Sequence, residues 1–211
     1  MNESHIKLAI QIYNQAEGLF VPAEIATLDM AAGNENEPES VKMYDQFFGT
    51  NYFPEYEKVR EENTPFHKSN KFMTGTRDFG DKSETIDGKS STDKNVFDAK
   101  RFLPIDTDHV IQVNGYGILY DTSNLKLYNN LMPATFGQRK KFVDAKSYID
   151  MLSEAEQDRY EAVIDQNYDY SFLPIAKRIS VREIPLIDNF EKIVETRIEV
   201  LNEWIVKNLK Q

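Results

Sequence analysis

The chain has 211 residues with no cysteine, and its 35 acidic and 25 basic side chains give a formal charge of −10. Thirteen Phe and eleven Tyr supply too much apolar surface for a disordered chain, so a packed core is expected. The lack of Cys excludes disulfides, thiolate zinc sites and Cys nucleophiles. No apolar run approaches the roughly 20 residues of a membrane span. The start, Met1-Asn2-Glu3-Ser4-His5, lacks a signal peptide's basic and apolar regions, so a cytoplasmic protein is expected. The acidity argues against a general nucleic-acid coat.

Ser4 is placed to cap a first helix with Ile6, Ala9, Ile10 and Tyr13 on one stripe, and Gly18 suits its end. Pro22 opens a second helix ending near Gly33. Pro38 opens a third, with Val41, Tyr44, Phe47 and Phe48 apolar, ending at Gly49. Residues 54–62 read as a charged helical turn or two. Residues 63–95 hold Gly75, Gly80 and Gly88 among many Ser, Thr, Asp and Lys. The stretch reads as an extended arm or loop, or a β-hairpin ordered against a neighbouring subunit. Beyond it the period turns strand-like. Val110-Ile111-Gln112-Val113, Gly117 to Asp121 and Leu125 to Tyr128 form an antiparallel meander turned at Asn114-Gly115 and Thr122-Ser123-Asn124.

Helices are expected over 137–152 and after the capping box Ser153-x-x-Glu156, and strands over Tyr170–Ile175 and Ile179–Ile184. From Asp188-x-x-Glu191, a last helix carries Phe190, Val194, Ile198, Leu201, Ile205 and Leu209 at spacings of 4, 4, 3, 4 and 4. The class is α+β: short N-terminal helices, a small central antiparallel β-sheet and a long amphipathic C-terminal helix. One domain over 1–211 is expected, with a helical part over 1–62, the arm over 63–95 and an α+β part over 96–211.

Chemistry is sparse. His5, His67 and His109 lack ligand-spaced partners. No phosphate-binding glycine loop, nucleophile elbow, H-E-x-x-H or EF-hand loop occurs. Asp78-Phe79-Gly80 matches a kinase tripeptide without the rest of the kinase set. The basic spots Arg139-Lys140-Lys141 and Lys177-Arg178 with Arg182 suit a solvated helix start and a strand edge. Asp106-Thr107-Asp108-His109 followed by Asn124 resembles the ββα-metal (HNH-type) nuclease motif. In that motif an Asp holds a divalent ion, a His is the general base and an Asn fixes the His ring. The usual Pro after the pair is missing, Gln112 and Val113 standing there. Asn129, Asn130 and Pro133 supply no helical third ligand. No catalytic, cofactor-binding or metal-binding residue is assigned from sequence, and no cofactor is expected.

A second resemblance is carried by Ile12-Tyr13-Asn14-Gln15-Ala16-Glu17-Gly18-Leu19-Phe20-Val21-Pro22-Ala23-Glu24-Ile25 and by Phe102-Leu103-Pro104-Ile105-Asp106. Over about residues 6–50 and 100–120 these are similar to head–tail connector (ring or adaptor) proteins of tailed phages, crAss-like ones especially. The resemblance implies a non-enzymatic virion protein forming a homo-oligomeric ring around a DNA channel. Its partners would be copies of itself and portal or tail components, with no membrane and no sequence-specific nucleic acid. The alternatives are the ββα nuclease centred on Asp108, His109 and Asn124, and an acidic binding, inhibitor or DNA-mimic module.

Overall fold

A computed structural model describes residues 3–18, 28–61, 67–135, 138 and 153–209. The elements are α1 (Glu3–Ala16), α2 (Leu28–Phe48), α3 (Phe53–Glu61), β1 (His67–Ser69), β2 (Thr74–Thr76), β3 (Phe79–Gly80), β4 (Glu84–Ser91), α4 (Lys94–Lys100), α5 (Thr107–Tyr120), β5 (Asn124–Leu131), α6 (Glu154–Tyr168), α7 (Ile175–Arg178), β6 (Ile179–Glu183) and α8 (Phe190–Leu209). The α+β class holds. The main sheet runs β3-β4-β5-β6, and β1-β2 form a separate antiparallel hairpin.

The expected meander is corrected. β4 and β5 pair in parallel, Asp87 opposite Leu127 and Lys89 opposite Asn129, while β3 and β6 flank them antiparallel. A parallel pair needs a helical crossover, which α4 and α5 supply. The stretch 107–120, read as two strands, is therefore α5. Its buried positions are Val113, Asn114, Gly117 and Tyr120, a helical stripe in which two of four residues are not apolar. Gly117 permits close packing, because a Cβ there would lie 2.8 Å from Leu125 Cδ2 and 3.0 Å from the Thr122 carbonyl. Asn114 is no turn residue: its amide donates to the Val110 and Pro185 carbonyls at 2.9 and 3.1 Å and accepts from the Ile187 N–H at 2.9 Å.

The arm is also corrected from Lys68 onward. His67 to Ser91 fold within the chain as the hairpin and two strands of the main sheet. Tyr170–Ile175 is a turn leading into α7, not a strand. The helices expected to end at Gly33 and begin at Pro38 are one, α2, with Pro38 inside it. Pro38 has no N–H for the Asn34 carbonyl four residues back; Arg60 Nη2 reaches that carbonyl at 3.4 Å. Pro22 and residues 139–152 lie outside the described residues. At Ser153 one half of the capping box forms: its N–H donates to Glu156 Oε2 at 2.9 Å, and its hydroxyl donates to the same oxygen at 2.7 Å.

Helices cover both faces of the sheet. On one, Val41, Met43 and Tyr44 of α2 and Tyr56 of α3 pack against Phe79, Ile86, Tyr128 and Ile179. Tyr44 meets Phe79 and Tyr128 edge-on, both at 5.1 Å between centroids. On the other face, Val113 packs on Leu125, Leu127 and Ile184, and Phe97 on Leu131 and Tyr170. The apolar stripe of α8 is only partly covered: Phe190 and Ile205 are buried, while Ile193 and Val200 are exposed. Among the described residues no helix is long and apolar enough to cross a membrane.

Gly80 closes the tight β3–β4 turn at φ +129°, where a Cβ would stand 2.3 Å from the Glu84 carbonyl oxygen. Gly80→Ala is expected to cost several kcal/mol, above the roughly 1 kcal/mol of an unfavourable positive φ alone. Gly49→Ala, at φ +69° with nothing near its Cβ, is expected to cost only about 1 kcal/mol. Urea unfolding of both variants measures the difference.

Candidate functional site

β3 is two residues long and pairs with β4 only at Thr85 and Ile86. Beyond that point no strand among the described residues pairs with this edge of β4, and Asp78, just before β3, falls level with Asp87 by continuation of the register. The Asp78 side chain takes over the ladder there: its Oδ2 accepts the Gly88 N–H at 2.6 Å. Strand alternation sends Asp87 and Lys89 to the α5 face of β4. Asp87 is fully buried. Lys89 Nζ donates to Asp87 Oδ1 at 3.0 Å and lies 2.8 Å from Oδ2, but out of hydrogen-bond alignment with it, so the buried Oδ2 accepts no hydrogen bond.

A cleft of about 460 Å³ opens at this edge. Asp78, Gly88, Lys89 and Ser90 form its floor, Asn34, Glu37 and Ser40 of α2 one wall, and Lys100 and His109 the other. Tyr56 Oη donates to Glu37 at 3.0 Å and accepts from Arg60 Nη1 at 2.9 Å. Pro38 thus sits where α2 passes the cleft, and Arg60 serves both the freed Asn34 carbonyl and the Tyr56 hydroxyl that holds Glu37.

The electrostatics are those of a site built against the comfort of its charges. Burial, then the charge of Asp87 beside it, pushes the Asp78 carboxyl up to about 7, against the pull of Lys89 and the Gly88 N–H. Burial also raises Asp87, with Lys89 and His109 opposing, and raises Glu37. Burial alone would lower the Lys89 ammonium, but Asp87, Asp78 and Tyr116 together hold it above its ordinary value. Among the described residues no three His, Cys, Asp or Glu side chains converge as a complete metal cage. Two carboxylates with an adjacent ammonium are instead the partial set that suits Mg²⁺, which keeps several waters and takes further oxygens from a phosphate substrate.

The residues singled out in the sequence are dispersed. Asp106 is the N-cap of α5, its Oδ1 accepting the Asp108 N–H at 2.8 Å, so Asp108-His109 is a helix start rather than a strand entry. His109 reaches the cleft. Asn124 does not: its amide donates at 3.2 Å to Glu84, which also accepts from Tyr52 Oη at 2.6 Å and is paired with Lys126. Glu84 lies three residues before Asp87, about 10 Å along the strand. Arg178 and Arg182 are structural, donating to the Leu131 carbonyl and to the Lys100 and Leu103 carbonyls. Arg139-Lys140-Lys141 lies outside the described residues.

Asp78, Asp87, Lys89 and Glu37 were missed. The available signal was an Asp followed nine residues later by Asp-Gly-Lys, within a segment whose polarity read as inability to fold.

The main chain's path is shared with a known enzyme. The crystal structure of a phage-related exonuclease from Haemophilus somnus 129PT superposes with a TM-score of 0.62 over 96% of this chain and 82% of that one, at 18% identity. At that identity the likeness is one of fold. The sequence matches no family model and no curated protein. This likeness overturns the head–tail connector reading, and with it the virion ring around a DNA channel. The local reason is that Phe102 to Asp106, taken as the entry to a central sheet, leads into helix α5.

A raised Asp78 pKa has a defined sign. The folded state holds that proton more tightly than the unfolded chain, so the group favours folding below the unfolded pKa near 4 and loses this contribution as pH rises through about 7. Asp78→Asn is therefore expected to raise the melting midpoint at pH 8 without divalent cations, on the order of 3–6 °C at the usual 2–4 °C per kcal/mol for this length. The gain should shrink between pH 7 and 4. Calorimetry over that range checks it.

Proposed function

We propose that this chain hydrolyses phosphodiester bonds of nucleic acid with the help of a divalent cation, acting as an exonuclease. The observation that carries the reading is the placement of Asp78 and Lys89 in the cleft at the edge of β4, with the buried Asp87 beside them and paired to Lys89. The fold likeness to a phage-related exonuclease supports it.

Asp78 and Asp87 would hold the cation, which supplies Lewis-acid stabilisation of the phosphoryl oxygens and a more acidic water. Burial first, and for Asp78 the neighbouring Asp87 charge next, raise both carboxyls, so a cation bound between them would offset that cost. Lys89 is held protonated by Asp87 and so serves as a charged donor, not a base. It orients the attacking water and offsets the negative charge that grows on the phosphoryl oxygens. Water oxygen bonds to phosphorus, the bond to the leaving ribose oxygen breaks, and that oxygen is protonated from solvent. Glu37, tethered by Tyr56, adds a carboxylate at the wall that would accept the proton given up by the attacking water. The nuclease class weighed in the sequence is kept, but its centre moves from Asp108, His109 and Asn124 to the β4 edge.

The test is release of nucleotides from end-labelled linear DNA with Mg²⁺ or Mn²⁺. Asp87→Asn and Lys89→Met are expected to lower kcat by about 10²–10³ or more, the scale of removing a charge-stabilising group. Asn124→Ala should stay within about twofold, since it touches no reacting group. EDTA should abolish turnover. Cleavage by Asp87→Asn at the wild-type rate would sink the proposal.

A further inference from the structure

A second cleft of about 280 Å³ adjoins the first, and Gly33, Ser90 and Lys100 line both. It continues along β4 past Ser91 to Thr92 and Gln138. Its one acidic lining residue, Asp93, is committed to capping α4, where its Oδ1 accepts the Asn95 and Val96 N–H groups at 2.7 and 3.0 Å. Lys100 is partly buried, and its Nζ donates to Ser91 Oγ at 3.2 Å. Among the described residues no carboxylate forms an ion pair with it, whereas Lys42, Lys89, Lys94 and Lys126 each have one. Burial, then the charge of Lys89, lowers the Lys100 ammonium below its ordinary value. Among the described residues, this partly buried cation beside a second cation, in a cleft of neutral hydroxyl and amide groups, has no free anion next to it.

The position of that anion follows from the strand. Ser91 is two residues beyond Lys89 on the same face of β4, about 6.6 Å away. That is the distance between successive phosphates of one nucleic-acid strand.

We propose that Lys100, steadied by Ser91, seats the phosphate next to the scissile one, so that the second cleft holds the adjoining nucleotide of the strand being cut. The inference rests on the phosphodiesterase reading and adds a substrate requirement: a charged internucleotide linkage beside the cleaved bond. Lys100 binds substrate through a group that does not react, so its contribution belongs to KM.

The experiment uses end-labelled linear oligodeoxynucleotides with Mg²⁺, either all-phosphodiester or with a neutral methylphosphonate at the linkage adjoining the first scissile bond or, as a control, several linkages farther in. Wild type should lose about tenfold in kcat/KM for the first cleavage with the adjoining methylphosphonate only. Lys100→Met should raise KM about tenfold on the unmodified strand, and Lys100→Arg should recover most of it. Lys100→Met should lose nothing further with the methylphosphonate, and its slope of log(kcat/KM) against log salt should flatten by about one phosphate contact. A wild type indifferent to the adjoining methylphosphonate overturns the inference without any variant. So does a Lys100→Met enzyme that remains as sensitive to it as wild type. If wild type releases no nucleotides at all, the phosphodiesterase reading falls and takes this inference with it; turnover that ignores Lys100 removes the inference alone.

Discussion

The structure turns on the forced proximity of Asp78 and Asp87 beneath α5 and α2, with Lys89 as their shared counter-charge. A fully buried carboxylate beside a half-buried one is a standing cost, which one ammonium offsets only in part. Everything around them serves to hold the arrangement. Gly80 makes the turn that brings β3 back alongside β4, and the Gly88 N–H fixes the Asp78 carboxylate. The aromatic cluster of Tyr44, Phe79 and Tyr128 anchors the strands from the opposite face. Titratable groups held at such a cost are a recurrent mark of functional sites, and the proposed cation would relieve it.

The helices are bent to the same end. α2 tolerates a proline in its interior because Arg60 of α3 reaches the carbonyl that Pro38 leaves unbonded. The same guanidinium holds Tyr56 against Glu37. A backbone defect and a carboxylate at the cleft wall thereby share one support. On the opposite side, Arg182 of β6 fixes the Lys100 and Leu103 carbonyls, which sets the end of α4 where the two clefts meet.

The outer helices were legible from sequence, because their apolar stripes and stops follow the helical period: α1 with Gly18, α8 from Phe190, and the capping box at Ser153. The centre was not. α5 carries Val, Ile and Gly in numbers that suit a strand, and its buried stripe contains Asn114 and Gly117, whose reason is contact with segments far along the chain. β4 was hidden for the opposite reason. Glu84, Asp87 and Lys89 look like solvated loop residues, yet two of the three are buried, Glu84 with Tyr52 just before α3 and Lys126 of β5, and Asp87 with Lys89 of β4 itself. Composition priced those charges as exposed; tertiary pairing reversed it. The site shared that fate, since its residues are the very ones that made the segment read as unable to fold.

A sheet that stops covering its own strand halfway also faces a hazard. Among the described residues no strand covers the far half of β4, and an uncovered strand edge is the template on which strands of other molecules add and aggregates grow. Here a carboxylate from the neighbouring turn occupies the first free amide, and a lysine and a buried aspartate flank it. Any peptide attempting to zip onto that rim would have to bury charge without compensation. The groups read as machinery for a phosphate thus double as a guard, and neutralising them for any purpose would leave the protein more prone to stick to its own kind.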